Sequence, residues 1–142
     1  MTADRDCTVA ARMDCLAQAM AFVEAFCAEH GVARDDGLRL ALVVEELFTN
    51  TVMHGHGGDS DAPVRIGLGA GPSHIDLSYE DTAAPFDPLA HLARSASDLE
   101  ADVADRPIGH VGIALVLRMA VRSSYVREDG RNRLQLTLQR QA

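Results

Sequence analysis

Over residues 40–55 the chain reads LALVVEELFTNTVMHG, and Leu40, Val43, Val44, Leu47 and Thr51 recur at the spacing of one side of a 3.6-residue helix. That side would pack on a sheet. Glu46, Asn50 and His54 follow one another at steps of four, so a carboxylate, an amide and an imidazole line up along a different edge. The stretch predicts one buried helix with an apolar face and a chemical one.

The same reading extends along the chain. Residues 6–11 suggest a short strand, which belongs at a sheet edge because Val9 is its only strong strand former. Asp14 is the expected N-cap of a helix carrying Leu16, Met20, Val23, Phe26 and Cys27 at helical spacing, with Gly31 as its stop. Asp35 or Asp36 is expected to cap the Glu46 helix, which runs from about 37 to 54 until the glycines of HGHGGD end it. Strands at 64–69 and 74–80 flank the turn Ala70-Gly71-Pro72-Ser73, and in the second Ile75, Leu77 and Tyr79 alternate with polar residues. Residues 81–108, punctuated by Pro85, Pro88 and Pro107, read as a long functional loop. A helix at 113–120 and strands at 123–128 and 133–139, turning at Asp129-Gly130, complete the order. Helices on one face of a mainly antiparallel mixed sheet make an α+β two-layer sandwich.

Composition narrows this picture. With 142 residues the chain suits a single domain, and with 47% hydrophobic residues but only 4% aromatics and no Trp its core must be aliphatic. A formal charge of -8 argues against a nucleic-acid partner and favours basic protein surfaces. The opening MTADRDCTVAARMD carries charges where a signal peptide would be apolar, and the longest apolar run, 111–117, is too short to span a bilayer. A cytoplasmic protein without a membrane partner is expected. Cys7, Cys15 and Cys27 lack CxxC spacing and are expected to be reduced, mostly buried thiols.

Three clusters carry candidate chemistry: Glu46, Asn50 and His54; the strand end EDTAAP at 80–85; and Gly109-His110-Val111-Gly112 before a helix. Singly each has an ordinary structural explanation, in surface decoration, turn formation or capping. Together they supply what a nucleoside triphosphate needs. Asp81 could accept a hydrogen bond from an exocyclic amine, and the helix start at Gly112 could hold phosphate through free N–H groups. Asn50 offers magnesium a hard oxygen, and Glu46, about 6 Å away along the helix axis, could take a proton near the terminal phosphate. Other polar residues have simpler readings. His54, His56 and Asp59 fit no firm metal-ligand spacing, Asp98, Glu100, Asp102 and Asp105 form a solvated face, and Glu45 projects about 100° away from Glu46.

EELFTNTVMHG resembles the first motif of the GHKL ATPases, the superfamily of DNA gyrase, mismatch-repair ATPases and histidine kinases. EDTAAPFDP is similar to its first glycine box and RPIGHVGIAL to its second. The compact length and the ending YVREDGRNRLQLTL are most similar to the bacterial anti-sigma-factor serine/threonine-protein kinases. The resemblance runs from about residue 7 to 138 and implies a Bergerat fold holding ATP and Mg2+, with a lid at about 86–108. It implies that Asn50 binds magnesium, Glu46 is the catalytic base, Asp81 reads adenine and Gly109 to Gly112, with His110 and Val111, face the phosphates. Arg106 matches a lid arginine that reaches the terminal phosphate or the partner. Its implied partners are an anti-sigma-factor antagonist protein and a sigma factor or similar regulator, and a homodimer is compatible with it. Two residues depart from the pattern: Ala83 stands beside the adenine position where the family usually has Gly, and His110 replaces a common glycine beside the phosphates. A catalytically weak, nucleotide-dependent binding module and the stand-alone ATP-binding domain of a split histidine kinase remain alternatives.

Overall fold

Alternating apolar residues on four of the strands give the sheet one greasy face, and the two helices bury it. The computed structural model describes residues 4–88, 118 and 120–141. Strands β1 (Arg5–Ala10), β2 (Pro63–Ala70), β3 (His74–Asp81), β4 (Ala120–Glu128) and β5 (Arg131–Gln139) form one sheet in the order β1-β2-β3-β5-β4. All four pairings are antiparallel, so among the described residues the sheet is not mixed. Helices α1 (Leu16–Glu29) and α2 (Arg34–Asn50) complete an α+β two-layer sandwich.

The core follows the two periodicities. Val64, Ile66 and Leu68 of β2, Ile75, Leu77 and Tyr79 of β3, and Leu134, Leu136 and Leu138 of β5 point to the helical side. Leu40, Val43, Val44, Leu47 and Phe48 of α2 and Val23 and Phe26 of α1 meet them, while Leu16, Met20 and Cys27 pack at the margin. Each fully buried aliphatic or Phe side chain contributes roughly 1.5–3 kcal/mol, so α2 is held chiefly by its sheet-facing stripe. The three thiols are free but half-buried rather than mostly buried.

Helix stops and turns form as the sequence implies. Gly31, at φ 62°, lets Val32 N–H reach back to the Cys27 carbonyl at 2.9 Å and close α1. Asp129 and Gly130, at φ 54° and 74°, make the tight turn between β4 and β5. The predicted N-caps do not form. Asp14 sits inside a 3-10 turn, Met13–Cys15, whose first N–H is taken by Asp59 Oδ1 at 2.8 Å, and Cys15 caps α1 without a side-chain bond. Helix α2 starts at Arg34 behind an uncapped Ala33, three residues before the predicted start. Its buried Asp36 is used elsewhere: it pairs with Arg39 and accepts the Gln141 N–H at 2.8 Å, tying the end of the chain to α2.

Two further boundaries differ. The α-helix stops at Asn50 and continues as one wide π turn, Thr51–Gly55, in which His56 N–H bonds the Thr51 carbonyl five residues back at 2.9 Å. Ala120, predicted to end a helix, instead opens β4. Arg118 lies in a turn, and the rest of that predicted helix, 113–117 and 119, and the loop from 89 to 108 lie outside the described residues.

Candidate functional site

The last residues of α2, the π turn, the end of β3 and the start of β5 converge on Asp81. This carboxylate is 7% exposed, and donors from three elements surround it. Thr51 Oγ1 donates to Asp81 Oδ2 at 2.8 Å. Asn132 Nδ2 and Ala83 N–H donate to Oδ1 at 2.8 and 3.2 Å. Thr51 has one proton for two acceptors, Asp81 Oδ2 and the Leu47 carbonyl at 3.0 Å, so the Tyr79 hydroxyl at 2.6 Å is the donor to Thr51 Oγ1. Complete burial pushes the Tyr79 phenol well up, only partly offset by its bond to Thr51, which keeps it a donor. The register explains part of this: Tyr79 and Asp81 stand on the same face of β3, and Asp81 lies directly across from Asn132 of β5.

Asn132 also fixes the loop after β3. Its Nδ2 donates to the Ala84 carbonyl at 3.0 Å, and its Oδ1 accepts the Phe86 N–H at 3.2 Å and the Tyr125 hydroxyl at 2.5 Å. Arg127 Nη1 donates to the Ala83 carbonyl at 2.7 Å. The β4–β5 hairpin therefore clamps the turn that carries Ala83, and none of this was visible in the sequence analysis. Tyr79 could have been found from its alternation with Asp81, whereas Asn132 and Arg127 depend on strand register.

Ala83 does not need a glycine conformation, since Asp129 is the one non-glycine residue with positive φ among those described. The close approach falls instead at Gly55, where an added Cβ would lie 2.7 Å from the Ala83 Cβ. Leu47, Asn50, Thr51, Gly55, Asp81 and Ala83 are among the walls of a cavity of about 30 Å³, room for a water or two rather than a purine. A larger cavity, about 380 Å³, lies at the opposite end of α2 beside Asp36 and Arg39 and shares no wall with it.

Asn50 supplies the sharpest polar signal in this cavity. Its Oδ1 is buried and has no hydrogen-bond partner among the described residues. An orphaned amide oxygen is costly unless something binds it, and a hard divalent cation suits it. Glu46, one turn earlier, is half-buried, and its carboxyl is raised above the ordinary carboxylate range by burial first and by the Glu45 charge second. His54 is exposed on the π turn, and His56 buries an Nε2 that has no partner among the described residues. Asp59 is engaged with Met13 and Arg12, and among the described residues no three His, Cys, Asp or Glu side chains gather as a metal cluster. Asn50, Asp81 and Ala83 thus share one cavity, while Glu46 lies one helical turn before Asn50 and is not among the cavity's walls. Arg106, Gly109, His110, Val111 and Gly112 lie outside the described residues. Among those described, no helix is long and apolar enough to cross a membrane.

A family model described as "Histidine kinase-like ATPase domain" matches residues 9–138. Among solved structures, a chain of the SiaB-SiaC complex from Pseudomonas aeruginosa superposes with a TM-score of 0.54 at 14% identity, over 96% of this chain and 90% of that one. At that identity the likeness is one of fold. No curated protein matches the sequence.

Proposed function

This chain belongs to the histidine kinase-like ATPase domain family, and from that premise we propose that it is an ATP-dependent serine/threonine-protein kinase and anti-sigma-type regulator of a partner-switching system. The observation that carries the reading is the buried, unpartnered Asn50 Oδ1 in the cavity that also contains Asp81. On this reading the chain is a single cytoplasmic ATP-binding domain with its lid at about 86–108. Asp81 receives the base amine, held in orientation by Thr51 and Asn132. Asn50 holds Mg2+, which supplies charge neutralisation at the phosphates when bound. Glu46 accepts the proton of the incoming serine hydroxyl, and its raised carboxyl makes it a stronger base than an ordinary surface Glu. Gly109 to Gly112 and Arg106 belong to the phosphate side of the same site.

A protein partner is supported by the fold neighbour, which was crystallised as a complex of two proteins. The proposed partners are an anti-sigma-factor antagonist that receives the phosphoryl group and a sigma factor or similar regulator. A second reading, a nucleotide-dependent binding module without catalysis, is motivated by Ala83 and His110, which stand where the resembled family usually has glycine. Phosphoryl transfer from Mg-ATP to a candidate antagonist separates the two. The kinase reading expects Glu46→Gln to abolish transfer while ATP binding persists. Nucleotide binding with no transfer by the wild type to any antagonist tested would leave the binding module.

A further inference from the structure

The β4–β5 hairpin and the residues that flank it reverse the charge of the chain. Nearly half of the 13 cationic residues fall between 118 and 140, where Glu128 and Asp129 are the only acids, while the protein as a whole carries a formal charge of -8. Strand β4 lies at the sheet edge and bonds only β5 among the described residues. It has nine residues, and only Ala120 and Tyr125 are even half-buried. Val121 is 65% and Val126 48% exposed. Arg122, Ser124 and Val126 stand opposite Thr137, Gln135 and Arg133, on the face of the sheet away from the helices. Arg118 and Arg122 make no ion pair or hydrogen bond among the described residues, in contrast to Arg131 and Arg133, which share Glu80.

We propose that β4 is a docking edge for an extended, acidic segment of a partner protein, which adds a strand to the sheet. Two properties select that occupant. Among the described residues the outer edge of β4 has no strand beside it, and main-chain bonds to such an edge give affinity without requiring a pocket. The cations flanking it, Arg118 and Arg122 above all, complement carboxylates. Pairing with a second copy would set one arginine-rich hairpin against another, which like-charge repulsion opposes. The exposed valines give alternate apolar side chains something to cover. The competing explanation is that the arginines and the bulge between Ala120 and Arg122 only guard the edge from self-pairing. The inference is independent of nucleotide chemistry. Arg127 is kept out of the test because it clamps the Ala83 carbonyl.

The test uses the full chain and a fluorescent peptide as long as β4 in which Glu alternates with Val. Controls are the same peptide with Lys for Glu, a version with Pro at alternate positions, and single-stranded DNA of similar charge. Anisotropy at moderate salt is expected to show the Glu-Val peptide binding about tenfold or more tighter than each control. Arg122→Glu should weaken it by a similar factor without lowering the thermal midpoint, and hydrogen exchange should slow at β4 amides on binding. No peptide binding, equal binding of the Lys or Pro peptides, preference for DNA, or indifference to Arg122→Glu overturns the proposal.

Discussion

At Glu46 partial burial and the neighbouring Glu45 charge both favour the protonated carboxyl, and that preference is a statement about stability. Because the folded-state value is raised, the unfolded chain ionises first as pH rises. Stability from this group is fully present below the ordinary carboxylate range, near pH 4, and is lost as pH climbs through the raised folded value. Glu46→Gln, which never ionises, is therefore expected to raise the urea midpoint relative to wild type at pH 7, with the advantage fading towards pH 3.5. An advantage of equal size at both pH values would mean that packing rather than ionisation sets the difference. Asn50 is the complementary case, an amide that cannot titrate and whose buried oxygen lacks a partner among the described residues. Both residues were legible in the sequence because helical spacing alone places them on one edge of α2. Asp81 was legible as a strand end. What holds it was not: Thr51, read as a packing residue, is both buried and a donor to the carboxylate.

The elements bring these side chains together through one tight contact. Where α2 widens into its π turn, Gly55 passes the turn after β3 so closely that a Cβ would meet the Ala83 methyl at 2.7 Å. Gly55→Ala is expected to destabilise the protein by about 1–3 kcal/mol, the usual cost of overpacking. Ala83→Gly should restore most of that in the double variant and, alone, widen the slot beside Asp81. Thermal or urea unfolding of the four-member cycle checks this, and additive effects would show that the two positions do not touch. The sequence marked Ala83 as an intrusion without revealing that Gly55 makes room for it. The cap errors have the same origin. Asp14 and Asp36 are chemically good caps, but Asp14 lies inside the 3-10 turn with its carboxylate facing Arg12 at 3.5 Å, and Arg39 with Gln141 takes the Asp36 carboxylate. Local propensity names a candidate partner; tertiary contacts decide which one is used.

Across the whole molecule, strand alternation and helical periodicity were enough to give the two-layer sandwich, because each apolar stripe has only one face on which to be buried. The strand order was not readable, since the pairing of Asp81 with Asn132 joins residues far apart in sequence. That pairing makes the candidate site a property of the fold: α2 brings Asn50 and Glu46, β3 brings Asp81, and the β4–β5 hairpin clamps the turn between them. The central claim is that this junction binds ATP through magnesium held on Asn50. Isothermal titration of ATP into wild type and Asn50→Ala, each with Mg2+ and with EDTA, tests it most directly. The expected result is wild-type binding strengthened by Mg2+ and an Asn50→Ala variant that keeps the metal-independent binding but loses the gain from Mg2+. Failure of the wild type to bind ATP, or an Asn50→Ala variant that responds to Mg2+ as fully as wild type, would contradict it.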